Sequence, residues 1–117
     1  MTPEKKVENA ILTWLKAKGF FVFKIQSTGL FDPTKKLFRK SNNIHHIRGI
    51  SDVLGVLPDG KFLAIEVKTD KTAWSKKTYP SKEQKAFLEQ VIKLGGIGFI
   101  ARSVNDVEAM LKDLGYC

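Results

Sequence analysis

Cysteine is almost missing from this 117-residue chain: there is one, Cys117, at the last position. No intrachain disulfide can form, and the chain suits a reducing cytosol. Long apolar runs are missing as well. No stretch approaches the ~20 residues that a membrane-spanning helix needs, and the opening "MTPEKKVENAILTWL" lacks the pattern of a signal peptide. Histidine is scarce: His45 and His46 are adjacent, with no spaced third histidine and no nearby cysteine, which makes a poor zinc site. There is no internal repeat and no low-complexity tract. The length allows one domain with a real core and is too short for two comfortable ones, so a single domain over residues 1–117 is expected.

Acidic residues are the scarce charge, 12 against 20 lysines and arginines, for a net +8. Such an excess on a small domain favours polyanionic partners, nucleic acid first among them. It is unevenly placed. Lys35, Lys36, Arg39, Lys40 and Arg48 stand with the two histidines in residues 32–49 against one acid, and Lys71, Lys76 and Lys77 form a second cluster. Lys35, Lys36, Arg39, Lys40, Arg48, Lys76 and Lys77 are candidate phosphate contacts, with plain solubility as the alternative. Trp74 and Tyr79, in the same second segment, could stack on a base or cover an apolar edge.

Residues 3–18 read as a helix: Thr2 can cap it, Pro3 suits its first position, and Gly19 ends it. Val7, Ala10, Ile11, Trp14 and Leu15 form its apolar stripe, with Glu8 at the edge of that stripe. "FFVFKIQ", residues 20–26, reads as a strand. The polar, basic segment that follows, to about residue 49, shows no period and reads as a loop able to fold around a ligand. "ISDVLGVLPDGKFLAIEVK" reads as a hairpin. A type I turn over Leu57–Gly60, with Gly60 left-handed, gives a three-residue loop and pairs Val56 with Phe62 and Asp52 with Glu66. A two-residue Asp-Gly turn would instead pair Asp52 with Val67 and send its carboxylate to the other face. Proline before Asp-Gly favours the first register. A helix over about 82–94, a strand "IGFIA" and a last helix capped by Ser103 follow. The third strand, its helix and the fourth strand make a right-handed βαβ unit with parallel strands.

The stretch "KFLAIEVKTD", residues 61–70, carries the chemistry. Phe62, Ala64, Glu66 and Lys68 share one face of the strand, so an apolar face turns ionic at its end. The plain reading is a Glu66–Lys68 ion pair where the strand emerges into water. Asp52 directly opposite Glu66 makes that harder to hold, because two facing carboxylates repel unless a cation lies between them. Metal-assisted phosphodiester cleavage needs hard oxygen ligands, an activated water and a positive charge near the reacting phosphate. Asp52 and Glu66 could supply the first, and Lys68 could hold the water or steady the developing charge. Glu8 could add a ligand, direct or through water, if the first helix lies over this end of the sheet.

At these residues the sequence resembles a known family. Asp52 followed by Glu66-Val67-Lys68 in an αβββαβ order is similar to the D…E-x-K core of restriction-endonuclease-like, PD-(D/E)XK, nucleases. More narrowly it resembles the virus-type replication-repair nuclease (VRR-NUC) domain: an early helical Glu (Glu8), a G-x-x-D segment (Gly49 to Asp52), E-V-K, and a helix opened by S-x-x-Q (Ser81 and Gln84). Ser51 stands where the superfamily name has proline. The resemblance implies a mixed four-stranded α/β sheet flanked by helices, with an extra C-terminal helix. It implies Mg²⁺- or Mn²⁺-dependent cleavage of DNA, often branched, flapped or Holliday-junction DNA, by a homodimer in a bacterial or phage replication or repair setting. The metal would be held by Asp52, Glu66 and the Val67 carbonyl, with Glu8 assisting.

Gln84 carries two readings, a member of the site or one half of a Ser81-x-x-Gln84 capping box. One amide would not easily fill both. For the chain as a whole the alternative function is a non-catalytic, basic nucleic-acid-binding module, whose binding would be indifferent to divalent metal and to Asp52 or Glu66.

Overall fold

A computed structural model of the protein describes residues 2–25, 30–32, 37–39, 47–69 and 80–117. The first helix, α1 (Pro3–Ala17), starts as its sequence dictates: the Thr2 hydroxyl accepts the Lys5 N–H at 3.2 Å and Pro3 takes the first turn. Strand β1 (Phe21–Phe23) is shorter than the seven residues expected from its composition. It pairs antiparallel with β4 (Val53–Val56), itself four residues long, and ends where Phe23 meets Leu54.

The segment expected to be a loop up to residue 49 contains a hairpin. Strands β2 (Leu30–Asp32) and β3 (Leu37–Arg39) pair antiparallel, with Phe31 opposite Phe38. Each is three residues long, too short to leave an alternation that a sequence pattern would reveal.

Strand β4 turns into β5 (Phe62–Val67) through the three-residue loop read from Leu57–Gly60. The Gly60 N–H reaches the Leu57 carbonyl at 2.8 Å, the Leu57 N–H reaches the Lys61 carbonyl at 2.8 Å, and Gly60 sits at φ 89°. The register follows: Val56 opposes Phe62 and Leu54 opposes Ala64. Helix α2 (Lys82–Lys93) then carries the chain to β6 (Ile97–Ala101), parallel to β5, and α3 (Val104–Asp113) closes the order, capped by Ser103. The sheet order is β1-β4-β5-β6.

Strand β5 is covered on both faces. Leu63, Ile65 and Val67 point into a core shared with Ile11 and Leu15 of α1 and Val107 and Leu111 of α3, all buried. Leu54 and Ala64 lie on the opposite face under Leu88 and Val91 of α2. Each large side chain removed from water in this way contributes about 1.5–3 kcal/mol, which packs β5 between two layers. By strict alternation Glu66 follows Ala64 onto the α2 face. Its carboxylate therefore lies where the C-terminal end of β5 meets the first turn of α2. Among the described residues no helix is long and apolar enough to cross a membrane.

Candidate active site

One step beyond the Val53–Ile65 pair, the register sets Asp52 opposite Glu66 on the α2 face. Asp52 Oδ2 accepts the backbone N–H of Val67 at 2.8 Å, which ties the aspartate to the neighbouring strand. Glu66 is 1% exposed. Its Oε1 accepts from Gln84 Nε2 at 2.9 Å and lies 3.8 Å from Lys68 Nζ. Its Oε2 is buried and finds no hydrogen-bond partner among the described residues. Burial first, then a hydrogen bond with the Asp52 carboxyl and the Asp52 charge, push the Glu66 carboxyl up from 4.5 to about 9, against the opposing pull of Lys68. A strand-end ion pair facing water does not look like this. Two carboxyl groups face one another, Glu66 buried and Asp52 half-buried, a pair suited to sharing a proton or a cation.

Gln84 completes the helix cap and also reaches Glu66, two contacts that its sequence position does not suggest together. Its Oε1 accepts the Ser81 N–H at 2.8 Å while its backbone N–H donates to the Ser81 hydroxyl at 3.1 Å, a complete capping box. Its Nε2 is then directed away from the cap and donates to Glu66. A primary amide has an acceptor end and a donor end, and α2 is aligned so that each meets its partner. Gly49 permits that alignment. It adopts φ 79°, and a Cβ placed on it would lie 2.4–2.6 Å from the backbone of Glu83 and Gln84. The turn leading to Asp52 and the first turn of α2 touch backbone to backbone, so the G-x-x-D and S-x-x-Q segments form one contact. Ser51, next to Asp52, is buried as well.

Helix α1 brings two acids to this end of the sheet. A hollow of about 430 Å³ is lined by Glu4, Lys5, Glu8, Asp52 and Thr69, with Thr2 and Pro3 at its edge. Glu8, expected as an assisting ligand, is 2% exposed, and its carboxylate is engaged: Oε1 lies 2.8 Å from Lys24 Nζ and Oε2 3.7 Å from Lys5 Nζ. The hydrogen bond to Glu8 raises the Lys24 ammonium above its ordinary value. Glu4, one turn earlier, was not a candidate from sequence, where it reads as a dipole-compensating residue. Burial raises its carboxyl, the Asp52 and Glu8 charges raise it further, and Lys68 lowers it, so it faces the same cluster. The available signal was its i, i+4 relation to Glu8, which puts the two on one helix face.

Among the described residues, no group of three or more His, Cys, Asp or Glu side chains gathers as a metal-holding cluster. The pair Asp52 and Glu66 still suits a hard cation, since Mg²⁺ is commonly held by one or two carboxylates and keeps several waters. The buried Glu66 Oε2, without a donor among the described residues in a carboxyl group that faces Asp52, is the observation that fits such an ion.

Of the candidate phosphate contacts, Arg48 is exposed and lines a second, larger groove of about 710 Å³ between α2 and the β4–β5 turn, with Lys61, Phe62 and Phe87. Arg39 belongs to β3. Lys35, Lys36, Lys40, Lys76 and Lys77, together with Lys71, His45, His46, Trp74 and Tyr79, lie outside the described residues.

No family model matches the sequence, and no curated protein does. Solved structures do match the fold. A structure described as a VRR_NUC domain protein is 17% identical, with 97% of this chain and 88% of that chain covered and a TM-score of 0.65. Another, described as a VRR_NUC domain, is 25% identical, covers 99% of this chain and 100% of that chain, and has a TM-score of 0.63. The likeness spans nearly the whole length on both sides, and the chain has a VRR_NUC-like fold.

Proposed function

We propose that this protein is a divalent-metal-dependent nuclease that hydrolyses phosphodiester bonds in DNA, a single nuclease domain over residues 1–117. The observation that carries the reading is the buried Glu66 carboxyl, one oxygen without a donor among the described residues, set against Asp52 on the adjacent strand. Asp52, Glu66 and the Val67 carbonyl would hold Mg²⁺ or Mn²⁺, with Glu8, itself held by Lys24 and Lys5, assisting only through water. An ion held by these residues would supply charge neutralisation at the phosphate and a more acidic water. Lys68 is two residues along the same face, with its side chain 14% exposed. It orients the attacking water and offsets the negative charge that builds on the phosphorus-bound oxygens. Glu4 and Glu8 bound the entrance from α1.

The excess of positive charge binds the DNA backbone without reading bases, so affinity falls steeply with salt. Branched, flapped or junction DNA as substrate, a homodimer as the working form, and replication or repair in a reducing cytoplasm extend the same reading. A symmetric junction offers two scissile strands, whereas one chain offers one site.

The test is cleavage of labelled linear, flapped and four-way-junction DNA in Mg²⁺ or Mn²⁺ against EDTA, with wild type beside Glu66→Gln. Metal-dependent cutting that the variant loses supports the reading, and the product pattern identifies the preferred structure. If both proteins bind DNA and neither cuts with either metal, the chain is a binding module instead.

A further inference from the structure

The two oxygens of Glu66 are treated unequally. Oε1 accepts from Gln84 at 2.9 Å, a full hydrogen bond, while Lys68 stands off at 3.8 Å from the same atom. Oε2 has no N–H or O–H donor among the described residues, and the group faces the Asp52 carboxyl. The Gln84 amide cannot be reversed at will, because its own oxygen is committed to the Ser81 N–H. A flipped amide would present an NH₂ group to a backbone N–H and, once Glu66 is ionised, an oxygen to a carboxylate. The position of the amide is set as tightly as its orientation, since Gly49 presses on the backbone at Glu83 and Gln84.

We propose that Gln84 is a positioning residue of the cation site. Its amide, oriented by the Ser81 N–H, holds Glu66 Oε1, which leaves Oε2 to the cation and keeps Lys68 from collapsing onto the carboxylate. The helix cap is thus the device that orients a ligand. This inference rests on the nuclease reading and adds a residue that touches neither DNA nor metal. Partners that orient a ligating carboxylate from behind commonly alter metal affinity or activity about 10- to 100-fold when removed.

Two substitutions separate positioning from mere helix stability. Ser81→Ala removes the hydroxyl that caps Gln84 N–H but keeps the Ser81 N–H that orients the amide. Gln84→Met keeps the length of the side chain and loses both its cap acceptor and its donor to Glu66. Both variants should unfold a few degrees below wild type, as lost caps do. Mn²⁺ titration followed by calorimetry should show Gln84→Met binding about 10- to 100-fold more weakly, with Ser81→Ala within a few-fold of wild type. Cleavage rate at saturating Mn²⁺ should divide the two in the same way. Equal effects on Mn²⁺ affinity in both variants, or none in either, would overturn the proposal. Wild type that neither binds Mn²⁺ nor cuts DNA would instead defeat the nuclease reading itself, so the two failures are distinguishable.

Discussion

Asp52 and Val67 are joined across the β4–β5 boundary by a 2.8 Å hydrogen bond from the Val67 N–H to Asp52 Oδ2. The aspartate is therefore both a charge facing Glu66 and a fastening between strands. Asp52→Asn keeps a carbonyl oxygen for the Val67 N–H and loses the charge, while Asp52→Ala loses both. The asparagine variant should keep wild-type stability within about 1 kcal/mol, and the alanine variant should lose on the order of 1–3 kcal/mol through the unpaired amide. Both should fail to cut DNA. Urea denaturation beside a cleavage assay checks this, and cleavage at the normal rate by Asp52→Asn would exclude Asp52 as a cation ligand.

Glu66 gives a stability profile with a definite sign. Its carboxyl is held near 9 in the folded protein against an ordinary 4.5. Between those values the unfolded chain has lost this proton and the folded chain retains it. The contribution of Glu66 is fully present at low pH and fades as pH rises from about 4.5 to 9. In EDTA, wild type should lose stability across that window, by an amount of the order of a few kcal/mol. Glu66→Gln, which stays neutral, should flatten the profile and be the more stable protein at pH 8 while cutting nothing. Parallel denaturation curves for the two proteins from pH 5 to 9 would contradict this.

Lys68→Ala should abolish turnover and leave DNA affinity nearly unchanged, because its ammonium is close to Glu66 and largely buried. Replacing Lys35 and Lys36 together should do the reverse and reduce the salt dependence of binding by about two phosphate contacts. Binding isotherms at several salt concentrations, run beside single-turnover cleavage, distinguish the two.

The acids of α1 should also part company. Glu8 is buried between Lys24 and Lys5, so Glu8→Ala should cost on the order of 1–3 kcal/mol of stability through the loss of a charged partner, besides slowing cleavage as the loss of an assisting group would. Glu4, which feels Asp52 and Lys68 across the hollow, should tolerate Glu4→Gln without loss of stability but with slower cleavage. Thermal midpoints and single-turnover rates for the two variants check the division.

Much of this was legible because single residues fix long-range geometry. Pro58, Asp59 and Gly60 select the three-residue turn, that turn sets the register, and the register alone places Asp52 opposite Glu66. The apolar β5 with covered faces, the βαβ crossover and the Ser81 cap were readable for the same reason: each is a local pattern with one good structural solution. Glu4 was not legible. As an acid in the first turn of a helix it has a sufficient local explanation, and only the docking of α1 over the sheet shows that it faces Asp52. The β2–β3 hairpin escaped because two three-residue strands carry no usable period. Gln84 was misjudged in a more instructive way. A cap and a contact with Glu66 look exclusive along the chain, yet the two ends of one amide make them separately in space.

The contact between Gly49 and the first turn of α2 has a bearing on how the protein breathes. Glu66 is dry only while α2 is seated, so any excursion that lifts the helix hydrates the carboxyl and lets it ionise. In the absence of metal this rewards opening, and more so at high pH. A cation bound to Glu66 removes the reward. The amides of α2 should therefore exchange with solvent faster than those of β5 in EDTA at pH 8, and slow on addition of Mn²⁺. The burial that suits Glu66 to a metal ties the seating of α2 to the presence of one.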